Sequence, residues 1–200
     1  APEPPVLLMD EPFSNLDRDL RERVRSDTLA LLRRTNTTAV IVTHDPEEAL
    51  STGDRLVLMK GGRIVQIGTG RELYHRPSDP YSAEFFSTFT RVPGVYREGS
   101  VQTVLGAFPC SLDVPDGTRA VAYIRPQAVY PSPVGTAMTG RVRSRSFRGE
   151  IEQLELDVEG LDTPLIMRTT QHVDVVEGKL RFRIEEEAVF TFAMPGPGDQ

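Results

Sequence analysis

An apolar run that closes on two adjacent acids, Val6-Leu7-Leu8-Met9 before Asp10-Glu11-Pro12, constrains this chain more than any other feature. Four bulky apolar residues in succession belong to a strand buried on both faces, the setting of a parallel sheet. In open α/β sheets, ligands bind in the crevice beyond the carboxyl ends of such strands. Two carboxylates at that place can divide phosphate chemistry between them. Asp10 stands where it can hold a hydrated Mg2+, and Glu11 where it can orient a water against a terminal phosphate. Ser14-Asn15-Leu16-Asp17 comes next, and after one helix and a second apolar strand comes Thr43-His44-Asp45. His44, at the tip of that neighbouring strand, adds a donor that can sense the same phosphate. Each piece is weak alone. Their order points to the distal half of a nucleotide-hydrolysis site.

Local signals fill in the elements between these residues. Leu20, Val24, Leu31 and Leu32 leave an apolar stripe on a helix that Asp17 can cap. Thr38 to Thr43 is rich in β-branched residues, as a buried parallel strand should be. Asp45 followed by Pro46 starts a second helix, and Gly53 stops it. Arg55 to Met59 and Arg63 to Ile67, joined by Gly61-Gly62, read as a β-hairpin. Glu84 to Phe89 closes this part with a last amphipathic turn or two.

Taken in order, these motifs resemble the ATP-binding subunits of ABC transporters. Val6 to Glu11 looks like their Walker B strand, Ser14 to Asp17 like the D-loop, and His44 like the switch histidine. The likeness continues through Pro46-Glu47-Glu48-Ala49-Leu50, Asp54 to Met59, Gly61-Gly62-Arg63-Ile64 and Glu72-Leu73-Tyr74. It is tight over residues 5 to 88 and general beyond, where Arg125-Pro126 after a short strand is the recurring landmark. The best match in character is to importer ATPases that carry an OB-like regulatory domain of the TOBE type after the ATPase core.

The expected fold class is therefore α/β, a partial P-loop ATPase core over residues 1 to 90, followed by an all-β OB-like barrel over residues 91 to 200. The resemblance implies ATP and Mg2+ as cofactors, with Asp10 holding the metal through water. Glu11 and His44 would be the catalytic pair, and Ser14, Asn15, Leu16 and Asp17 would speak across a homodimer that sandwiches two nucleotides. It also implies membrane permease subunits as partners. Glu11-Pro12-Phe13-Ser14 and the tail look most like the ferric-iron branch, though polyamine, thiamine, sulfate and sugar importers share nearly all of it. No G-x-x-x-x-G-K-[ST] occurs, nor the family's LSGGQ signature. Without the loop that wraps the phosphates, the chain is expected neither to hydrolyse ATP by itself nor to bind it tightly. Two other readings stay open: a regulatory and dimerisation module with vestigial ATPase residues, and a small-ligand or anion sensor built on the β-rich part.

Composition narrows the setting. With 200 residues, 38% of them hydrophobic and 26% charged, the chain can bury an ordinary core. No apolar run approaches the ~18 residues of a membrane span, and no basic, apolar leader opens the sequence. The expected location is the cytoplasm, and the resemblance implies a peripheral place on the inner face of the cell membrane when assembled. Cys110, the single cysteine, excludes an internal disulfide and reads as a small buried hydrophobe. His75 and His172 are isolated, far from metal-ligand spacing.

Beyond Arg91 the helical period is lost. Val101 to Leu105, Arg119 to Ile124, Gly140 to Phe147, Glu152 to Val158, Leu165 to Arg168 and Leu180 to Phe192 read as short strands of a small barrel or sandwich. Pro115-Asp116-Gly117 marks a turn, Pro131-Ser132-Pro133 a connector, and Pro195 to Gln200 a frayed tail. No internal repeat with a usable period is visible. Arg141, Arg143 and Arg145 alternate along one strand and would form a basic stripe, which raises nucleic-acid binding. The net charge of −6 weighs against it. So does the next strand: a short turn around Arg148-Gly149 would set Arg141 against Asp157 and Arg143 against Glu155, so that ion pairs account for the stripe.

Overall fold

The computed structural model describes residues 6–132 and 137–194, so Pro133 of the expected connector and the tail from Pro195 lie outside the described residues. The chain divides into two compact units, Ala1–Phe86 and Ser87–Gln200.

The first unit runs β1 (Val6–Asp10), α1 (Arg18–Thr35), β2 (Thr38–Val42), α2 (Pro46–Thr52), β3 (Leu56–Lys60), β4 (Arg63–Gly68), α3 (Gly70–His75) and α4 (Pro80–Phe86). Strands β1 and β2 pair in parallel, Val6 against Thr38 through Asp10 against Val42, with α1 as the crossover. Helix α1 starts where Asp17 accepts the Leu20 N–H and ends on Asn36 in the left-handed region. Asp45 caps α2, with Pro46 in its first turn. Gly61 and Gly62, both at positive φ, turn β3 into β4. The closing helix lies earlier than the expected Glu84 to Phe89, because Asp79 accepts the Ser82 N–H and starts the helix at Pro80. One face of the β1–β2 ribbon stays open, with Leu8 74% exposed and Val42 56%.

The second unit is mostly β, in two five-stranded antiparallel sheets. Its elements are β5 (Thr90–Arg97), β6 (Ser100–Thr103), β7 (Gly106–Pro109), β8 (Arg119–Ile124), a 3-10 turn at Pro126–Ala128 and β9 (Val129–Pro131). Then come β10 (Met138–Phe147), β11 (Glu152–Asp157), β12 (Leu165–Thr169), β13 (Lys179–Ile184), a 3-10 turn at Glu186–Ala188 and β14 (Val189–Ala193). The stretch from Leu180 to Phe192 is thus two strands with a turn between them.

The order of the strands reveals a duplication that the sequence hides. One sheet reads β14-β8-β5-β6-β7 and the other β9-β13-β10-β11-β12. Each half supplies four strands to its own sheet and its fifth to the other's. The exchange is reciprocal: Val189 pairs with Ile124 and Val129 with Ile184, the matching positions lying sixty residues apart. At the central strands the offset is forty-six, since Gly94 lies opposite Ala120 and Gly140 opposite Leu180. The hairpins of the two halves differ in length, so no single period fits both and the repeat escapes a search for one.

A single core joins both sheets, with Val92, Phe108, Ile124, Val129, Leu154, Leu156, Leu165, Met167 and Phe182 among its members. Edge strands β12 and β9 of one sheet approach each other, so that sheet curls toward a barrel. The Ile166 N–H on β12 is taken up by the Thr90 hydroxyl at 3.1 Å. Arg125 is buried and stacks on Phe190, 4.7 Å from the ring centroid, and on Phe89 at 5.5 Å. The first half's arginine thereby grips the second half's exchanged strand.

The basic stripe is accounted for, in a register one step from the expected one. Arg141 does lie opposite Asp157, but a bulge between Val142 and Ser144 leaves Glu155 opposite Ser144. Arg143 is the extra residue, and it turns to Asp157 at 2.7 Å, while Arg145 bonds Glu152 at 2.6 Å. The Arg145 hydrogen bond holds the Glu152 carboxyl below the usual carboxylate range and raises the arginine's own pKa.

Candidate functional site

Asp10 is the last residue of β1, and its carboxylate is exposed with no hydrogen bond or ion pair among the described residues. Glu11 then takes a left-handed backbone, φ +43°, which a side chain with a Cβ adopts rarely. Its N–H donates to Val42 O at 2.8 Å, so the turn stays tied to the end of β2. Its carbonyl accepts both the Ser14 N–H and the Ser14 hydroxyl, the latter at 3.0 Å. Phe13 is buried to 2% exposure and anchors the loop.

This backbone sends the Glu11 side chain across the strand ends to His44. Nδ1 of His44 lies 2.7 Å from Glu11 Oε1. A carboxylate only accepts, so Nδ1 carries the proton in this bond. The two side chains remain 75% and 45% exposed, open to a ligand arriving from solvent. The structure therefore brings Glu11 and His44 into contact, with Asp10 one residue behind. Asp17 caps α1 at the far end of the Ser14–Asp17 loop.

Three residues that the motifs did not single out for a role hold this arrangement. Arg21, on the first turns of α1, donates to Leu16 O at 2.9 Å and reaches Asp45 Oδ2 at 4.0 Å. It spans from the Ser14–Asp17 loop to the His44 turn. Glu48 is 5% exposed, and its Oε2 accepts the Thr43 hydroxyl at 2.9 Å. Thr43 Oγ1 in turn accepts the Asp45 N–H at 3.1 Å. The signal was legible in part: Glu48 sits three residues after the helix cap Asp45, where a capping box puts its acid. Here the acid turns back to the threonine instead.

Among the described residues no group of three or more His, Cys, Asp and Glu could hold a metal ion unaided. The donor set fits Mg2+ nonetheless, because that ion is commonly held by one or two carboxylates together with substrate phosphates and waters. Asp10 is free to serve, and so is Oε2 of Glu11.

No family model matches the chain. It is 38% identical over 167 residues to the sulfate/thiosulfate import ATP-binding protein CysA 2 of Chromobacterium violaceum, which covers 80% of this chain and 45% of that protein. To the Fe(3+) ions import ATP-binding protein FbpC of Streptomyces coelicolor it is 34% identical over 201 residues, 99% of this chain and 56% of that one. The chain spans about half the length of the curated relatives it matches. Among solved structures, the cytoplasmic molybdate-binding protein ModG with molybdate bound is similar over 55% of this chain and 98% of its own. The TM-score of that match is 0.43, at 16% identity. Relatives of this identity and reach, joined to carboxylates and a histidine gathered at the ends of two parallel strands, place the chain in the family of ABC importer ATP-binding subunits.

Proposed function

We propose that this chain is the C-terminal portion of an importer ATPase, with residues 1 to 90 contributing part of the nucleotide-binding domain and residues 91 to 200 a regulatory domain. The observation that carries the proposal is the Glu11–His44 hydrogen bond at the carboxyl ends of β1 and β2. ATP with Mg2+ supplies the reacting phosphoryl group and the metal charge that neutralises it. Asp10 holds the metal through water. Glu11 positions the attacking water and draws its proton, a task for which Oε2 is free while Oε1 is fixed by His44. His44 keeps that carboxylate aimed, and its exposed ring reports the γ-phosphate. The Ser14–Asp17 loop, on the same side of the strands, contacts a second copy across the nucleotide.

In the assembled transporter the subunit works as a homodimer with membrane permease subunits, on the cytoplasmic face. No helix among the described residues is long and apolar enough to cross a membrane. The open face of the β1–β2 ribbon, with Leu8 and Val42 exposed, supports a core that needs further chain to cover it. The transported solute is an inorganic ion, ferric iron or sulfate/thiosulfate, as with the relatives whose names carry those ions. The test is Glu11→Gln in the complete subunit. Turnover should fall at least about a hundredfold while ATP binding persists, because the amide keeps the shape and loses the base. Turnover near the parental rate would remove Glu11 from the chemistry.

A further inference from the structure

We propose that Glu48 is a positioning residue for His44, acting through the Thr43 hydroxyl. This rests on the reading of Glu11 and His44 as the reacting pair, and goes beyond it in saying what sets their geometry. His44 is mostly exposed, so nothing packed around its ring fixes it. Beyond the bond to Glu11, its aim comes from its backbone turn. That turn is held on both sides of the histidine by one relay. The Glu48 carboxylate accepts the Thr43 hydroxyl, which is thereby committed as a donor and leaves its lone pairs to the Asp45 N–H. Asp45 Oδ1 closes the loop by accepting the Glu47 and Glu48 N–H groups at 2.9 and 3.1 Å. Thr43 and Asp45, the neighbours of His44, are thus locked to the same first turn of α2.

Burial marks Glu48 as more than an ordinary acid of a helix's first turn. Such acids face water, whereas this one is 5% exposed and its Oε1 has no partner among the described residues. Keeping a carboxylate there costs desolvation, and an alanine at that position would continue the helix as well. What the side chain supplies is a buried acceptor that reaches and orients one hydroxyl.

The consequence is readable without nucleotide, in the full 200-residue chain. The bond to Glu11 selects the Nδ1–H tautomer of neutral His44, which long-range proton–nitrogen NMR measures directly. Thr43→Val keeps the branched shape and removes the hydroxyl; Glu48→Leu removes the acceptor. Each should lower the ratio of Nδ1–H to Nε2–H at His44 about fivefold, the shift expected from losing one ordinary hydrogen bond. The ratio at His75 should not move. Thr43→Ser and Glu48→Gln keep donor and acceptor and should leave the His44 ratio as it is. Exchange protection of the Glu11 amide, bonded to Val42 O, reports whether β1 and β2 survive. An unchanged ratio in Thr43→Val or Glu48→Leu overturns the proposal, and so does a fall that comes only with lost protection. The two readings fail separately: activity surviving Glu11→Gln in the complete subunit removes the reaction, yet leaves this tautomer result standing.

Discussion

Replacing Gly94 with alanine should damage the second unit far more than the same change at Gly140, although both glycines hold the same place in the two halves. A Cβ on Gly94 would lie 2.4 Å from the carbonyl oxygen of Gln102, 2.8 Å from Val101 Cγ1 and 2.9 Å from Thr103 Cγ2. Ordinary contact begins near 3.4 Å, so the oxygen alone must retreat by close to an ångström. It is backbone, on a strand paired with β5 on one side and β7 on the other, so no rotamer change relieves the clash. Such overpacking costs roughly 3 kcal/mol, from which the lower chain entropy of unfolded alanine returns about 0.5 kcal/mol. At Gly140 the nearest atoms are Leu156 Cβ at 3.1 Å, then Phe182 Cε1 and Val158 Cγ2 at 3.3 Å. These are side-chain atoms that need to yield only a few tenths of an ångström, and the net cost should stay below about 1 kcal/mol. For a domain near 100 residues each kcal/mol moves Tm by about 4–8 °C. Calorimetry of the second unit's transition should therefore show Gly94→Ala down by about 10–20 °C and Gly140→Ala by no more than about 8 °C. Equal losses, or a Gly94→Ala within about 4 °C of the parent, would refute the register that sets Gly94 against Thr103.

Three other outcomes follow from particular contacts. Arg125→Lys should cost the second unit about 2 kcal/mol in chemical denaturation, since an ammonium cannot stack on Phe89 and Phe190 together as the planar guanidinium does; an unchanged midpoint would refute the grip on β14. Glu152 has its folded pKa lowered by Arg145, so its contribution to stability is complete above the unfolded carboxylate pKa and is lost as pH falls through the folded one. Arg145→Gln should raise the titration midpoint of Glu152 by NMR, and a midpoint that stays put would assign the shift to another cause. Isothermal titration of the chain with Mg-ATP should give no tight binding, because neither phosphate-wrapping loop nor its lysine occurs in the sequence; a micromolar constant would reveal a nucleotide site elsewhere.

What could be read from the sequence was what short-range chemistry decides. Asp17 and Asp45 announced their helices because an acid before a helix has orphan N–H groups to satisfy, and Gly61-Gly62 announced a hairpin because that turn needs positive φ. Strand β5 went unread for the opposite reason. Its middle is Pro93-Gly94, two residues that ordinarily break strands, yet it is central in its sheet. Pro93 is tolerated because pairing with β6 begins only at Gly94. Gly94 is required because β6 comes too close for any side chain. Both residues answer to a neighbouring strand that local pattern does not contain. The bulge at Arg143 is of the same kind: alternation fixes which face a residue takes only while the register holds.

The candidate site divides along the same line. Asp10, Glu11 and His44 could be picked out because each stands at the end of an apolar strand, where the chain leaves the sheet and a polar side chain needs a reason. Their distance could not, because it depends on Glu11 adopting φ +43°, and no residue type at that position foretells it. A glutamate that simply continued the alternation of β1 would point to one face of the sheet. The left-handed residue instead turns it sideways, along the row of strand ends, toward the next strand. Such a backbone costs about 1–2 kcal/mol for a residue with a Cβ. Glycine would relieve that cost and asparagine would reduce it, but neither carries a carboxylate. The strain therefore sits on the one residue whose side chain has to reach His44, held there by the Val42 carbonyl behind it and the Ser14 hydroxyl ahead.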